Sequence, residues 1–310
     1  MRGCRWHTKV KLKEVSRAQE ERSRVAVEIY LLAKNSRFCA NLCQIAQISS
    51  SVKRTTKAFL LAITLLNLSA TPRFAENSVD TIVIDAGHGG KDQGTRGVYM
   101  KEKDVALKIA LKVGNYIEKN IKGVKVIYTR KDDRYLPLDE RAAIANKAKA
   151  DLFICIHANA IWKPEIYGTE TYVMGLHKSE GNLEVAKREN SVILLDDNYE
   201  ERYEGFDPNS PESSILFSLT QSAYQESSLK FADKVESQFR NKLGRKSHGV
   251  KQAGFWVLWR TAMPSVLIEV GFLTNAKEEK FLGEENGQEL IASGIYRAFK
   301  EYKAQVESIN

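Results

Sequence analysis

The chain has 310 residues and a formal net charge of +8, which is enough length for one large domain or two small ones. The positive charge is confined to the first quarter of the sequence: residues 1–75 carry 14 Lys and Arg against 4 Asp and Glu, and residues 76–310 carry a net charge of −2. The main part of the chain therefore gives no electrostatic reason to expect binding to nucleic acid or to another polyanion.

A short apolar segment near the amino terminus is typical of a secretory signal peptide. Basic residues at 53–57 precede an apolar run at 58–70, and small residues follow it; this is the pattern of a signal peptide and is shorter than a membrane span of about 20 residues. We predict a signal peptide over 52–75, cleaved after Ala70 or Ala75, and an exported protein with no stable membrane span after processing. An uncleaved anchor or a core helix is the alternative.

Residues 1–51 do not fit in front of a signal peptide, because they are basic and contain three of the four cysteines. We hypothesise that translation starts at Val52, read from an alternative start codon, so that 1–51 are not part of the protein. A disordered or loosely helical extension is the alternative. The remaining cysteine, Cys155, cannot form an internal disulfide in residues 76–310 and is predicted to be a small buried apolar residue.

From residue 79 onward, strand signals alternate with helix signals, which favours an α/β layer structure with a largely parallel core. The strand candidates are 81–86, 124–129, 152–157, 169–174, 254–259 and 265–270. The helix candidates are 102–120, where apolar residues recur at close to helical spacing, 137–149, which opens with a proline, and 288–306. We predict a single α/β domain over 76–310, with helices that cover the sheet and leave its carboxyl edge open.

The segment 187–225 departs from this alternation. An acidic and aromatic stretch at 196–205 continues into 206–211 before a helix is predicted to resume near Glu212. Loops of this length inside a compact domain usually have a function or are disordered. We predict that this segment is an insertion that lies over the site.

Three apolar runs carry a metal-binding or proton-transferring residue at or near their downstream end. His88 follows the first strand among glycines, His157 closes the third, and Glu269 lies in the last. Parallel strands display such residues at one edge, so we expect a shared site, joined by Glu102 from the start of the first long helix. Two histidines, one ligating carboxylate and one free carboxylate suit zinc-dependent amide hydrolysis. Bound zinc lowers the pKa of water toward about 7, and Glu269 would carry the proton to the leaving nitrogen.

The residue pattern alone leaves alternatives open. His88 could be a turn residue beside glycine, and Glu102 could be an ordinary first-turn glutamate favoured by the helix dipole and paired with Lys103. His157 and Glu269 are harder to explain structurally, because polar groups in apolar runs are costly unless they are paired or functional. A dinucleotide site does not fit, since Asp92 stands where the last glycine of GxGxxG belongs.

Dispersed blocks of the sequence resemble the zinc-dependent N-acetylmuramoyl-L-alanine amidases of the amidase_3 type, the bacterial cell-wall amidases that separate daughter cells. The blocks are 83–90, 101–104, 129–133, 138–146, 150–160 and 264–275, in order over roughly 80–303. By this resemblance His88, Glu102 and His157 match the family's zinc ligands, for one Zn²⁺ per chain, and Glu269 matches its catalytic glutamate. The fold that it implies is one α/β domain with a mixed, mainly parallel sheet of about six strands flanked by helices.

The resemblance also implies a reaction and a location. The reaction is hydrolysis of the amide between the lactyl group of N-acetylmuramic acid and L-alanine of the peptidoglycan stem peptide, in cell-wall remodelling and daughter-cell separation. The location is the periplasm or cell-wall space of a bacterium. A zinc peptidase or a deacetylase acting on peptidoglycan stays an alternative, as does a catalytically inactive protein that binds the wall or activates another hydrolase.

Some family members carry, at the position of 187–225, a segment that covers the zinc until a partner removes it. We therefore hypothesise an autoinhibitory insertion, with Glu189, Glu200 or Glu201 at the open zinc position and a protein activator that relieves the inhibition. A substrate-binding lip is the alternative.

The remaining candidates concern substrate contacts. Asn159 is expected to orient substrate near the metal, and 254–260, including Arg260, to line the groove. The aromatic residues of that stretch are at least as well explained as core. His177 and His248 are expected at the surface or in the groove rather than as ligands.

Overall fold

A six-stranded sheet lies at the centre of the computed structural model, which describes residues 78–210 and 223–308. The strands are β1 (Thr81–Ala86), β2 (Lys125–Tyr128), β3 (Leu152–Asn159), β4 (Thr169–Met174), β5 (Ser247–Ala253) and β6 (Ser265–Phe272), in the order β2-β1-β3-β6-β4-β5. The first four in that order are parallel, whereas β4 is antiparallel to β6 and parallel to β5. The prediction of a mixed, mainly parallel sheet of about six strands is confirmed.

Helices cover both faces of this sheet. They are α1 (Glu102–Asn120), α2 (Leu138–Ala148), α3 (Glu180–Asn190), a 3-10 helix (Ser191–Leu195), α4 (Tyr199–Arg202), α5 (Gln225–Asn241), α6 (Trp256–Trp259), α7 (Ala276–Gly283) and α8 (Glu285–Glu307). Because alternate residues of a strand point to opposite faces, Ile82 and Ile84 pack with α1, α5 and α8, whereas Val83 packs with α2, α3 and α6. Within the described ranges, no helix is long and apolar enough to cross a membrane.

The predicted strand at 254–259 is wrong. Strand β5 lies just before it, over Ser247–Ala253, and 256–259 form the short helix α6. An edge strand of mixed polarity such as β5 lacks the apolar run that marks a buried strand. Trp256 is instead buried as core, and the Asn190 side chain holds this turn by accepting from the Trp256 amide and donating to the Gly254 carbonyl.

The predicted insertion is not a loop in the part that the structure describes. Residues 187–190 end α3, and the 3-10 helix and α4 follow. Tyr203 and Phe206 are buried and pack on the Trp256 ring, which fastens the segment to the face that also carries α2. The predicted helix start near Glu212, the signal peptide at 52–75 and the segment 1–51 lie outside the described residues.

Candidate metal centre

The loop after β1 presents His88 at the carboxyl edge of the sheet in an unusual backbone conformation. His88 has φ +62°, in the left-handed region that non-glycine residues adopt rarely and at some energetic cost. Two buried arginines hold this loop by its carbonyl oxygens: Arg130 donates to those of Ala86 and Gly87, and Arg141 donates to those of Ala86 and His88. Their contacts stabilise the loop in the conformation that His88 needs.

A buried polar network anchors Arg141 below the loop. Asp85 is fully buried on β1 and accepts from Arg141 Nη1 at 3.0 Å and from Thr129 Oγ1 at 2.5 Å. The Cys155 thiol donates to Asp85 Oδ2 at 2.9 Å, and burial raises the pKa of that thiol to about 12. The cysteine is buried as predicted, but it also takes part in this network.

The first residue of α1 and the end of β3 bring two further candidate ligands to the same edge. Glu102 is fully buried, and its carboxylate accepts from the Ala158 amide at 2.9 Å and from the Thr95 amide at 2.8 Å. His157 packs against Gly87, where a Cβ atom would lie 2.4 Å from His157 Nε2. The glycine therefore leaves the room that the imidazole ring occupies.

Donor atoms of four side chains converge on one point. His88 Nε2 lies 3.0 Å from Glu102 Oε2 and 3.2 Å from Glu189 Oε2, and His157 Nδ1 lies 2.9 Å from Glu102 Oε1 and 3.0 Å from Glu189 Oε2. One ligand atom from each of the four lies within 4.8 Å of the others. Two imidazole nitrogens with carboxylate oxygens are the donor set that zinc prefers.

Two of these atoms support the fit to a cation. Although His88 Nε2 and Glu189 Oε2 are buried, neither has a hydrogen-bond partner among the described residues. Buried polar atoms are normally satisfied, and a shared cation would satisfy both. The other ring nitrogen of His88 lies 2.7 Å from Asp92 Oδ2, a contact that fixes the ring orientation as carboxylates do for histidine ligands.

The carboxylates around the imidazole rings of His88 and His157 stabilise positive charge in this pocket. Burial alone would lower the pKa of His88 and raise that of Glu102, but their mutual attraction dominates: the pKa of His88 is raised well above 6.5 and that of Glu102 is lowered. Glu189 behaves like Glu102, because the charges of His157 and Arg188 outweigh burial and hold its pKa well below the usual value. The pocket thus stabilises cations and ionised carboxylates.

Glu269 differs from the other carboxylates of the site. It is the register partner of His157 on the neighbouring strand β6, and it is fully buried. Neither of its oxygens has a hydrogen-bond partner among the described residues. Burial, together with the negative charges of Glu189 and Glu102, raises its pKa well above 4.5. A carboxyl group with a raised pKa beside a metal pocket is suited to take up and release a proton.

The structure does not bring every predicted site residue to this point. Arg260 lies at the end of α6, where it pairs with Glu204 and stacks on Trp259, because its turn packs against the core. Glu200 and Glu201 lie on α4 and are exposed rather than directed into the cluster. Of the three glutamates proposed for the insertion, Glu189 alone belongs to the cluster.

Two residues that sequence reasoning did not single out contact the site. Arg188 donates to the Asn159 side chain at 2.8 Å and lies 3.8 Å from Glu269. Glu170, at the start of β4, is the register partner of Glu269 and is bonded to Asn159. The alternating pattern of 169–174 could have marked Glu170 as a carboxylate inside a strand, whereas nothing local distinguishes Arg188 from a surface arginine.

Comparison with known proteins gives a consistent result. The family model Amidase_3, described as N-acetylmuramoyl-L-alanine amidase, matches residues 82–301. The amidase AmiC of Escherichia coli O6:H1 is 35% identical over 232 residues, which are 72% of this chain and 52% of that protein. The chain thus spans about half the length of this relative.

Solved structures agree with the sequence comparison. An N-acetylmuramoyl-L-alanine amidase from Clostridium difficile 630 is 28% identical with a TM-score of 0.54, over 73% of this chain and 97% of that one. The CwlD amidase from Clostridioides difficile, solved in complex with the GerS lipoprotein, is 26% identical with a TM-score of 0.54, over 73% of this chain and 99% of that one. With the matched family model, these likenesses show that the chain belongs to the N-acetylmuramoyl-L-alanine amidase family.

Proposed function

We propose that this chain hydrolyses the amide bond between N-acetylmuramic acid and the L-alanine of the stem peptide in peptidoglycan. One observation carries the proposal: two imidazole nitrogens and a buried carboxylate converge within 4.8 Å beside Glu269, a buried carboxyl group with no hydrogen-bond partner among the described residues. This arrangement supplies both parts that amide hydrolysis needs, a metal-binding pocket and a separate proton carrier.

The roles follow from the chemistry of each group. We assign His88, Glu102 and His157 as the ligands of one zinc ion per chain. Zinc held there would activate a water molecule and polarise the amide carbonyl. Glu269 takes the proton of the attacking water and gives it to the leaving nitrogen of L-alanine, a transfer for which its raised pKa is suited.

The products of digestion test this proposal. Purified protein loaded with zinc is incubated with peptidoglycan sacculi, and the released material is analysed by mass spectrometry. We expect free stem peptides that begin with L-alanine and glycan strands without peptides. Release of shortened peptides would indicate a peptidase, and release of acetate a deacetylase. Sacculi that stay intact with both the wild-type protein and a Glu189→Ala variant, each with bound zinc, would favour the non-enzymatic alternative.

We further propose that residues 76–310 form the catalytic part of an exported protein, with 52–75 as its signal peptide and with function in the periplasm or cell-wall space. The apolar run behind a basic cap supports export. Intact mass and amino-terminal sequencing of the unprocessed and the exported protein test both boundaries. Any peptide from 1–51 would contradict a start at Val52.

We propose that the segment carrying α3 keeps the site closed. Glu189 Oε2 lies 3.0 Å from His157 Nδ1 and 3.2 Å from His88 Nε2, where a catalytic zinc site keeps a position for water. The neighbouring Arg188 donates to Asn159 and to the Ala160 carbonyl, which fastens the end of α3 to the end of β3. A carboxylate in that position would compete with water for the metal.

Replacing Glu189 by alanine should raise basal activity on sacculi about 10-fold, because the site would no longer contain a competing carboxylate. Glu200→Ala is the matched control, since its exposed side chain lies outside the cluster and the variant should keep the wild-type rate. Deleting 196–212 should also raise activity, although it removes packing on α6 as well. Unchanged or lower activity of a folded Glu189→Ala protein would favour a substrate-binding lip.

A closed site implies a partner that opens it. We propose a protein activator that binds the segment 187–210 and withdraws Glu189 from the metal. The CwlD relative is described in complex with a lipoprotein, which supports the idea that members of this fold family engage a protein partner. Stimulation that disappears in the Glu189→Ala variant would identify such an activator.

A further inference from the structure

A groove of about 700 Å³ begins beside the metal centre and passes over the start of β4. Its lining includes Asn159, Ala160, Glu170, Arg188 and Lys251. Asn159 and Arg188 connect the groove to the catalytic region, because Arg188 lies within 3.8 Å of Glu269 as well as bonding to Asn159. A substrate that continues beyond the scissile bond on the side of Glu269 would enter this groove.

Two oxygen atoms at the mouth of the groove are occupied by a guanidinium group. Arg188 Nη2 donates to Asn159 Oδ1 at 2.8 Å, and Arg188 Nη1 donates to the Ala160 carbonyl at 3.0 Å. Arg188 belongs to α3, the same helix that carries Glu189 into the metal pocket. If α3 withdraws, the Ala160 carbonyl loses its bond from Arg188, and Asn159 Oδ1 keeps the bond that it accepts from the Ala160 amide at 2.7 Å. Each oxygen then has acceptor capacity for an N–H group of a substrate.

The orientation of the Asn159 side chain is fixed from behind. Its Nδ2 group donates to Glu170 Oε1, so that Oδ1 is the atom that faces Arg188. Glu170 is 2% exposed and is itself held by the Lys251 ammonium and by the Tyr172 hydroxyl, which donates at 3.2 Å. A carboxylate can only accept from the amide, and it therefore prevents the amide from turning its nitrogen toward the groove.

We infer that Asn159 Oδ1 and the Ala160 carbonyl form a subsite that accepts N–H groups of the stem peptide next to the scissile bond, and that Glu170 is the positioning residue that orients Asn159. This inference rests on the proposed amidase function. The Arg188 guanidinium stands in for the peptide N–H donors in the closed arrangement. The leaving nitrogen receives its proton from Glu269, so the peptide that follows it lies on the side where these two oxygens are found.

The test uses a pair of substrates that differ in one donor. The first is a soluble disaccharide muropeptide, and the second replaces the amide between L-alanine and the next residue by an ester, which removes one N–H and leaves the scissile bond unchanged. Both are measured with the full chain carrying Arg188→Ala and Glu189→Ala, so that neither the guanidinium at the two oxygens nor the carboxylate at the metal competes with the substrate. Sites that bond a substrate donor reject analogues that lack it, and we expect kcat/KM to favour the amide by about 10-fold.

Variants test whether the preference for the amide substrate arises at this subsite. Asn159→Ala should bring the amide-to-ester ratio close to one. Glu170→Gln should raise KM for the amide substrate with little change in kcat, and it should lower the amide-to-ester ratio. The glutamine side chain can donate as well as accept, and it therefore no longer prevents the Asn159 amide from turning. Lys163→Met is the matched control on the rim of the groove, where its ammonium lies over the Trp162 ring, and it should keep the ratio. Because the ratio is internal to each protein, partial unfolding does not alter it.

The outcomes separate the subsite from the reaction. Cleavage of both substrates at equal rates, or an Asn159→Ala protein that keeps the wild-type ratio, would overturn the subsite while the amidase function stands. Cleavage of neither substrate by a zinc-loaded protein would overturn the proposed function, and the subsite with it.

Discussion

Replacing Glu269 by glutamine should lower the rate of sacculus digestion by about 100-fold or more, while one zinc ion per chain remains bound. General acid–base groups typically contribute about 10²- to 10⁴-fold, and glutamine keeps the size of the side chain but cannot carry the proton. Zinc should stay because the ligands that we assign come from the loop after β1, from α1 and from β3, and not from β6. The measurements are the rate of peptide release and the metal content of the purified variant.

Glu236→Gln is the matched control for this experiment. Glu236 is also a buried carboxylate with a raised pKa, which burial causes, but it accepts from hydroxyl groups of Thr169, Thr171 and Ser247 on another part of the sheet. Its isosteric replacement should leave turnover within about twofold, since neutral hydrogen bonds can replace the charged ones at a cost of about 1 kcal/mol. A Glu269→Gln enzyme that retains more than a tenth of the wild-type rate would contradict the role of proton carrier.

Replacing His157 by alanine should weaken zinc binding by at least about 100-fold and abolish digestion, because changes even outside the direct ligands cost about 10- to 100-fold in affinity. A bound ion stabilises the folded protein by mass action. A chelator should therefore lower the melting temperature of the wild-type protein and have little effect on the variant. Metal content, Kd for zinc and the melting temperature with and without chelator are the measurements.

His248→Ala is the control for a histidine that does not belong to the cluster. His248 is half-buried on β5, and its Nε2 lies 2.9 Å from the Tyr167 carbonyl oxygen. This variant should bind zinc as the wild type does. If His157→Ala kept a full complement of tightly bound zinc, the ligand assignment would fail, whatever its effect on activity.

The sheet could be predicted wherever burial leaves a mark on the sequence. β1, β3 and β6 are covered on both faces and read as continuous apolar runs, which places them correctly within two residues. β5 lies at the edge and is half-buried with mixed polarity, so it has no apolar run. The apolar run that the sequence shows belongs to the neighbouring aromatic turn of α6. An apolar run reports burial, and burial occurs in turns as well as in strands.

The candidate site was predictable to the extent that it lies at strand and helix ends. His88, His157 and Glu269 each stand at or near a strand end, and Glu102 stands at a helix start. The pattern alone left Glu102 open as an ordinary first-turn glutamate, and the resemblance favoured it as a ligand. Glu170 and Arg188 contribute through contacts whose partners are distant in the sequence: Glu170 pairs with Lys251, and Arg188 contacts Glu269. Local sequence pattern carries no information on such pairs, because they arise from the pairing of β4 with β5 and from the packing of α3 on the sheet.

The turn around His88, held by Arg130 and Arg141, has a consequence for how the proposed site would bind and release a metal ion. These contacts are hydrogen bonds from Arg130 and Arg141 to main-chain oxygens and involve no donor atom of the pocket. The site should therefore be preorganised and keep its conformation without a metal ion, so that metal binding does not require the surrounding segment to fold. Repeated removal and readdition of the metal ion should then be fully reversible. Enzymatic activity should return as soon as the ion binds, without a slow step between the two.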